Sequence, residues 1–134
     1  MKRKAFKQQR KRIQALADKW ISPIGLSWWS FTLHYHRSRR SYKKATGHDA
    51  RKSAATCCTD WRYQAAEVHF NCPLWAYLAD GEAERALVHE LMHAVLAELP
   101  LQGGDGQDHL ERVCTALASA FVWGANENAS THRV

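Results

Sequence analysis

The stretch from residue 82 to residue 99, EAERALVHELMHAVLAEL, contains no glycine or proline and is rich in Ala, Leu and Glu, which commits it to an α-helix. Within it, His89, Glu90 and His93 spell H-E-x-x-H. The i, i+4 spacing stacks both imidazoles on one helix face, where they can share a single metal ion. Glu90 lies beside the pair, within reach of a water held by that ion. Leu87, Leu91, Val95 and Leu99 recur at helical spacing and are expected to bury one side. If the two histidines held no ligand, this mostly apolar helix would carry three polar groups without partners, which is costly wherever they are buried.

A hydrolytic zinc site takes three protein ligands and leaves a fourth position for water. A breaker, LPLQGGDGQ, follows the first helix, with Pro100, Gly103, Gly104 and Gly106. A second helical run, QDHLERVCTALASAFVW, comes next, with Leu110, Val113, Leu117, Ala120 and Phe121 as its apolar stripe. Glu111 sits on another face, aligned with Cys114, Thr115 and Ala118. Those small residues would let the two helices approach closely, with Glu111 reaching the metal. Asp108 shares that face one turn earlier, whereas His109 projects roughly 200° of helical rotation away. Glu111 is therefore the expected third ligand, ahead of His109 and then Asp108; its alternative is a solvated helix charge.

HELMH followed by E-R-V-C-T-A-L-A on the next helix resembles the gluzincin-type metallopeptidases, in which a later helix supplies a glutamate ligand. It is especially similar to the short, single-domain forms, including the ImmA/IrrE-like and phage-encoded minimal metallopeptidases. In the ImmA-like pattern the glutamate is followed by a small residue at +3 and an alanine at +7, as Glu111 is by Cys114 and Ala118. The resemblance spans most of residues 13–123, although only HELMH is specific. The chain departs from the metzincins, because AVLAEL follows HELMH in place of their third histidine. It also lacks the second histidine motif of SprT-like proteins, unless His109 takes that role. The resemblance implies a zincin-like α+β fold: an N-terminal helix, strands, the metal helix and a following C-terminal helix.

At 134 residues the chain is expected to be a single domain spanning 1–134, with one modest core. No apolar run approaches 18 residues, and the N-terminus is charged without an apolar signal region, which predicts a cytoplasmic chain with no membrane contact. Cys57, Cys58, Cys72 and Cys114 lack C-x-x-C spacing and are expected to be buried free thiols. A monomer is expected.

Charge is strongly segregated. Residues 1–52 hold 15 of the 19 Lys and Arg against Asp18 and Asp49 alone, a net +13; the rest carries 4 basic and 11 acidic residues, a net −7. The basic residues form a segment at 1–12, MKRKAFKQQRKR, and an expected exposed, mobile loop at 37–52, RSRRSYKKATGHDARK. The clusters at 2–12 and 37–52 could contact a nucleic acid or an acidic partner, or be solvated surface; no base-reading motif accompanies them.

Residues 4–21 suit an amphipathic helix with Phe6, Ile13, Leu16, Ala17 and Trp20 inward, ended by Pro23 and Gly25. The stretch 28–37 reads as a strand, with Trp29, Phe31, Leu33 and Tyr35 alternating against Ser30, Thr32, His34 and His36. Residues 53–71 predict one or two further strands, broken near Asp60, with Ala66, Val68 and Phe70 on one side. A small antiparallel sheet of two or three strands follows from these runs. Asp80 is the expected N-cap of the metal helix, and the tail 124–134 is expected to fray. His34 and His36 share a strand face at a metal-ligand spacing, although solvated or hydrogen-bonded histidines are the commoner outcome. In zincin-like enzymes an edge strand binds substrate backbone by β-augmentation, for which Glu67–Asn71 is the candidate.

The expected chemistry is zinc-dependent hydrolysis of peptide bonds in a protein or peptide substrate, with one Zn²⁺ on His89, His93 and Glu111 and Glu90 as general base. Tyr63, Tyr77 and His69 are candidates for stabilising the oxyanion. Two rivals remain: a metal module without peptidase activity, and a nucleic-acid-binding accessory or regulatory protein with a non-catalytic zinc site.

Overall fold

The computed structural model describes residues 1–97, 99 and 104–131. Among them are five helices and a three-stranded sheet, an α+β arrangement. Helix α1 (Arg3–Trp20) has no internal glycine or proline, and it buries Ile13, Ala17 and Trp20 at i, i+4 and i+7. Phe6 and Leu16 pack against that core from its margin. The basic segment 1–12 thus enters the expected helix at Arg3, with Lys2 as its N-cap. Arg12 is a clamp: its guanidinium donates to the Trp75 and Leu78 carbonyls at 3.1 and 2.8 Å and pairs with Asp80 at 3.1 Å. Gly25, at φ +87°, closes the turn after α1 in a conformation that side chains with a Cβ resist.

Strands β1 (Ser30–His36), β2 (Ala55–Asp60) and β3 (Ala65–Asn71) lie in the order β1-β3-β2. β2 and β3 form the expected antiparallel hairpin, but β1 pairs with β3 in parallel. The sheet is therefore mixed rather than antiparallel. The cause is the 37–54 connection, which skips the position beside β1 and leaves it for β3. Ala66, Val68 and Phe70, all at most 3% exposed, explain why β3 takes the centre.

Residues 37–52 are not a mobile loop. Ser38 caps helix α2 (Arg39–Thr46) by accepting from the Ser41 N–H at 3.1 Å, and Gly47 ends it in the left-handed region. Tyr42 anchors α2: its ring is fully buried and its hydroxyl meets Ser53 Oγ at 2.6 Å and Thr56 Oγ1 at 2.5 Å. The buried Asn71 fixes the same connection, donating to the Ala50 and Ser53 carbonyls.

A short helix, α3 (Cys72–Trp75), leads to α4 (Asp80–Val95), which carries HELMH. The N-cap is Ala79 rather than Asp80, because Glu82 reaches back to the Ala79 N–H at 3.2 Å. Leu87 and Leu91 are buried as expected, together with Val88 and Met92, but Val95 and Leu99 are exposed where the helix ends. Helix α5 (Gly104–Thr131) extends well beyond 107–123. It takes in Gly104, Gly106 and most of the tail expected to fray, because Val122 and Ala125 pack on the core. Pro100, Gly103 and residues 132–134 lie outside the described residues. The buried face of α5 is Cys114, Ala118 and Val122; Val113 and Phe121 are 44% exposed, and Ala120 is exposed too. The small residues bring α5 against α4, and that close approach, rather than the larger apolar stripe, sets its rotation. No described helix is long and apolar enough to cross a membrane.

Candidate metal centre

α4 supplies His89, Glu90 and His93, and α5 brings Glu111 across from the facing helix. The Glu111 carboxylate spans both rings: Oε2 is 2.9 Å from His89 Nε2, and Oε1 is 3.1 Å from His93 Nε2. The ring centroids are 5.2 Å apart, and one ligand atom from each of the three residues lies within 4.8 Å of the others. Without a cation, His89 Nε2 carries a proton to hydrogen-bond the carboxylate, and His93 Nε2 lies beside it without a hydrogen bond. A cation would sit between all three groups in the same triangle. Two imidazoles and one carboxylate are a donor set suited to zinc, so the residues present fit the ion. Asp108 and His109 are exposed on α5 and do not join the triad.

Two further side chains hold the triad in place, and spacing alone did not single them out as supports. Thr115, one turn after Glu111, places Oγ1 3.1 Å from His89 Nδ1. Its hydroxyl can donate or accept, so it orients the ring in either tautomer. Gln107, one turn before Glu111, donates to Glu111 Oε1 at 3.2 Å. Both stand at i±4 from the ligand, the spacing by which a sequence could have revealed them. Burial pulls the His93 pKa down, with the Glu111 charge pulling the other way. A neutral ring is the form that binds metal.

Glu90 is 8% exposed. Burial, and then the nearby Glu111 charge, push its pKa up to about 8, while the backbone N–H of Cys57 draws it down. β2 therefore borders the site through its backbone. A cleft of about 570 Å³ runs between β2 and the helices, lined by Thr56, Cys58, Glu90, His93, Leu110 and Glu111 among others. His48, from the connection after α2, also lines it. No spacing within the sequence links His48 to HELMH, since only the tertiary fold brings the two together.

Several expected residues lie elsewhere. Tyr63 and Tyr77 are 80% and 79% exposed and do not line the cleft. His69 is on the opposite sheet face, against His34 and His36. Glu67–Asn71 cannot take a substrate strand, because it belongs to the central β3, paired on both sides. The edge strand at the cleft is β2. All four cysteines are free; Cys72 and Cys114 are buried, Cys57 is half-buried and Cys58 is exposed, so burial of all four does not hold. Burial and the Glu111 and Glu90 charges raise the Cys114 pKa to about 12, which keeps that thiol neutral beside the triad.

Most of the basic residues of 1–52 belong to α1 and α2. On α1, Lys7, Arg10 and Lys11 border a shallow concavity with Tyr35, and the Arg10 guanidinium lies 5.2 Å from the Tyr35 ring centre. No family model matches the chain, and no curated protein or solved structure is significantly similar to it.

Proposed function

We propose that the chain is a zinc-dependent metallopeptidase of minimal gluzincin type, similar to the ImmA/IrrE-like and phage-encoded forms. The observation that carries this is a buried, proton-binding Glu90 directly beside the triangle of His89, His93 and Glu111. A purely structural metal site has no use for such a carboxylate. Bound zinc supplies a Lewis acid, which polarises the scissile carbonyl and acidifies a water. Glu90 would take that water's proton and pass it to the leaving amine, and a cation at the triad would draw down the raised pKa that Glu90 has without one. The Cys57 N–H lies near the Glu90 carboxylate and favours its charged form. Thr115 and Gln107 hold His89 and Glu111 so that the ligands need little rearrangement.

The free edge of β2 gives a peptide substrate a strand to pair with beside the cleft. His48 is the cleft residue whose chemistry suits an oxyanion partner. Zinc-loaded protein is expected to cleave unstructured peptides, and a chelator or Glu111→Ala to abolish cleavage while His109→Ala leaves it intact. Cleavage that survives Glu111→Ala would overturn the assignment.

A second reading rests on the net +13 of residues 1–52, much of it carried by the exposed Lys7, Arg10 and Lys11 of α1 and Arg39, Arg40, Lys43 and Lys44 of α2. In it the chain is a nucleic-acid-binding accessory protein whose zinc site is not catalytic. Salt-sensitive DNA binding in a chain that cleaves no peptide would favour it.

A further inference from the structure

On the other face of the sheet lies a second convergence of ligand-type side chains, with no residue in common with the first. Period-2 alternation puts His34 and His36 on one face of β1, and Glu67 and His69 on the same face of β3. The parallel register sets His34 directly beside His69. Their rings stack with centroids 4.4 Å apart and planes at 11°. Glu67 Oε1 stands 3.5 Å from His34 Nε2. One ligand atom from each of His34, Glu67 and His69 falls within 4.8 Å of the others.

We propose that His34, Glu67 and His69 form a second metal site, which takes one divalent cation of the zinc class and is oriented by His36. Two imidazoles and a carboxylate select borderline transition ions over magnesium or calcium, which favour all-oxygen shells. His34 Nε2 is buried and has no hydrogen-bond partner, since the Glu67 contact lacks hydrogen-bond alignment. Such an atom is rare in a folded protein, and a cation would satisfy it.

The neighbouring ring is already aimed. His36 Nε2 meets His69 Nδ1 at 2.9 Å, and His36 Nδ1 meets Ser41 Oγ at 2.8 Å, a chain of contacts reaching into α2. With Nδ1 engaged, His69 keeps Nε2 for a ligand bond.

No buried carboxylic base stands beside this cluster as Glu90 does at the first. The site is therefore a tie between β1 and β3, strengthening a parallel pairing that no hairpin closes. It does not depend on the hydrolase reading.

The test is calorimetric titration of zinc into metal-stripped protein, comparing wild type with His34→Ala/His69→Ala and with His89→Ala/His93→Ala. Two equivalents are expected for wild type and one for each variant. A wild type that takes one equivalent, kept in full by His34→Ala/His69→Ala, would overturn the proposal, as would binding there only at millimolar zinc. Should the variant fail to fold, imidazole ¹⁵N shifts in the unaltered chain decide instead. His34 and His69 resonances must move as zinc saturates, and unmoved resonances would equally overturn the site.

Discussion

Thr115 is not one of the three candidate ligands, yet its hydroxyl holds the His89 ring from the Nδ1 side. Replacing it with valine keeps the shape and removes the bond. Thr115→Val is expected to weaken zinc at the HELMH centre by about 10–100-fold, measured by chelator competition. Glu90 gives a second prediction at this scale, for the metal-free chain. Its folded pKa of about 8 exceeds the ordinary carboxyl value of 4.5, so the folded state holds the proton more tightly. Its contribution is then fully present below about pH 4.5 and fades as pH rises through about 8. The Tm of the metal-free wild type should therefore fall, relative to Glu90→Gln, as pH is raised across that window; a constant difference would contradict it. His89, Glu90, His93 and Glu111 were legible in the sequence because helical periodicity alone brings three together and aligns the fourth with small residues. Thr115 was visible only as a small residue, and His48 not at all, since its place depends on how the 37–54 connection crosses the sheet.

Among elements, β2 and the α4–α5 pair carry the site. The Cys57 N–H points to Glu90 and hence away from β3, so by alternation the Thr59 N–H also faces the free edge. Thr59→Pro removes that donor without breaking the ladder to β3. One lost substrate hydrogen bond, worth about 1 kcal/mol, should raise KM for peptides about fivefold while circular dichroism stays unchanged. At the other contact, Cys114 is fully buried where the helices touch. Cys114→Leu overpacks it at a cost of roughly 1–3 kcal/mol and should displace Glu111 enough to release zinc. The helices were readable from periodicity, but the rotation of α5 was not. Its stripe of Leu110, Val113, Leu117 and Phe121 has more apolar surface, while Cys114 and Ala118 permit closer packing, and closeness won. The extent of α5 was also hidden, because the packing of Val122 and Ala125 is tertiary.

For the whole molecule, the two faces of one small sheet present different chemistry. The inner face packs on the helices that hold HELMH, and the outer face gathers the strand histidines under α2. Alternation in β1 foretold which residues share a face, whereas the parallel pairing that joins His34 to His69 is a long-range event with no local signal. The uneven charge was plain in composition, yet the engagement of Arg12 with the α3–α4 junction required the fold. The claim on which the proposed hydrolysis depends is that Glu90 moves a proton. The decisive measurement is peptide hydrolysis by Glu90→Gln protein whose zinc at the HELMH centre has been verified. The account predicts retained zinc and a rate lowered by about 10²–10⁴-fold. Undiminished hydrolysis with zinc in place would contradict it.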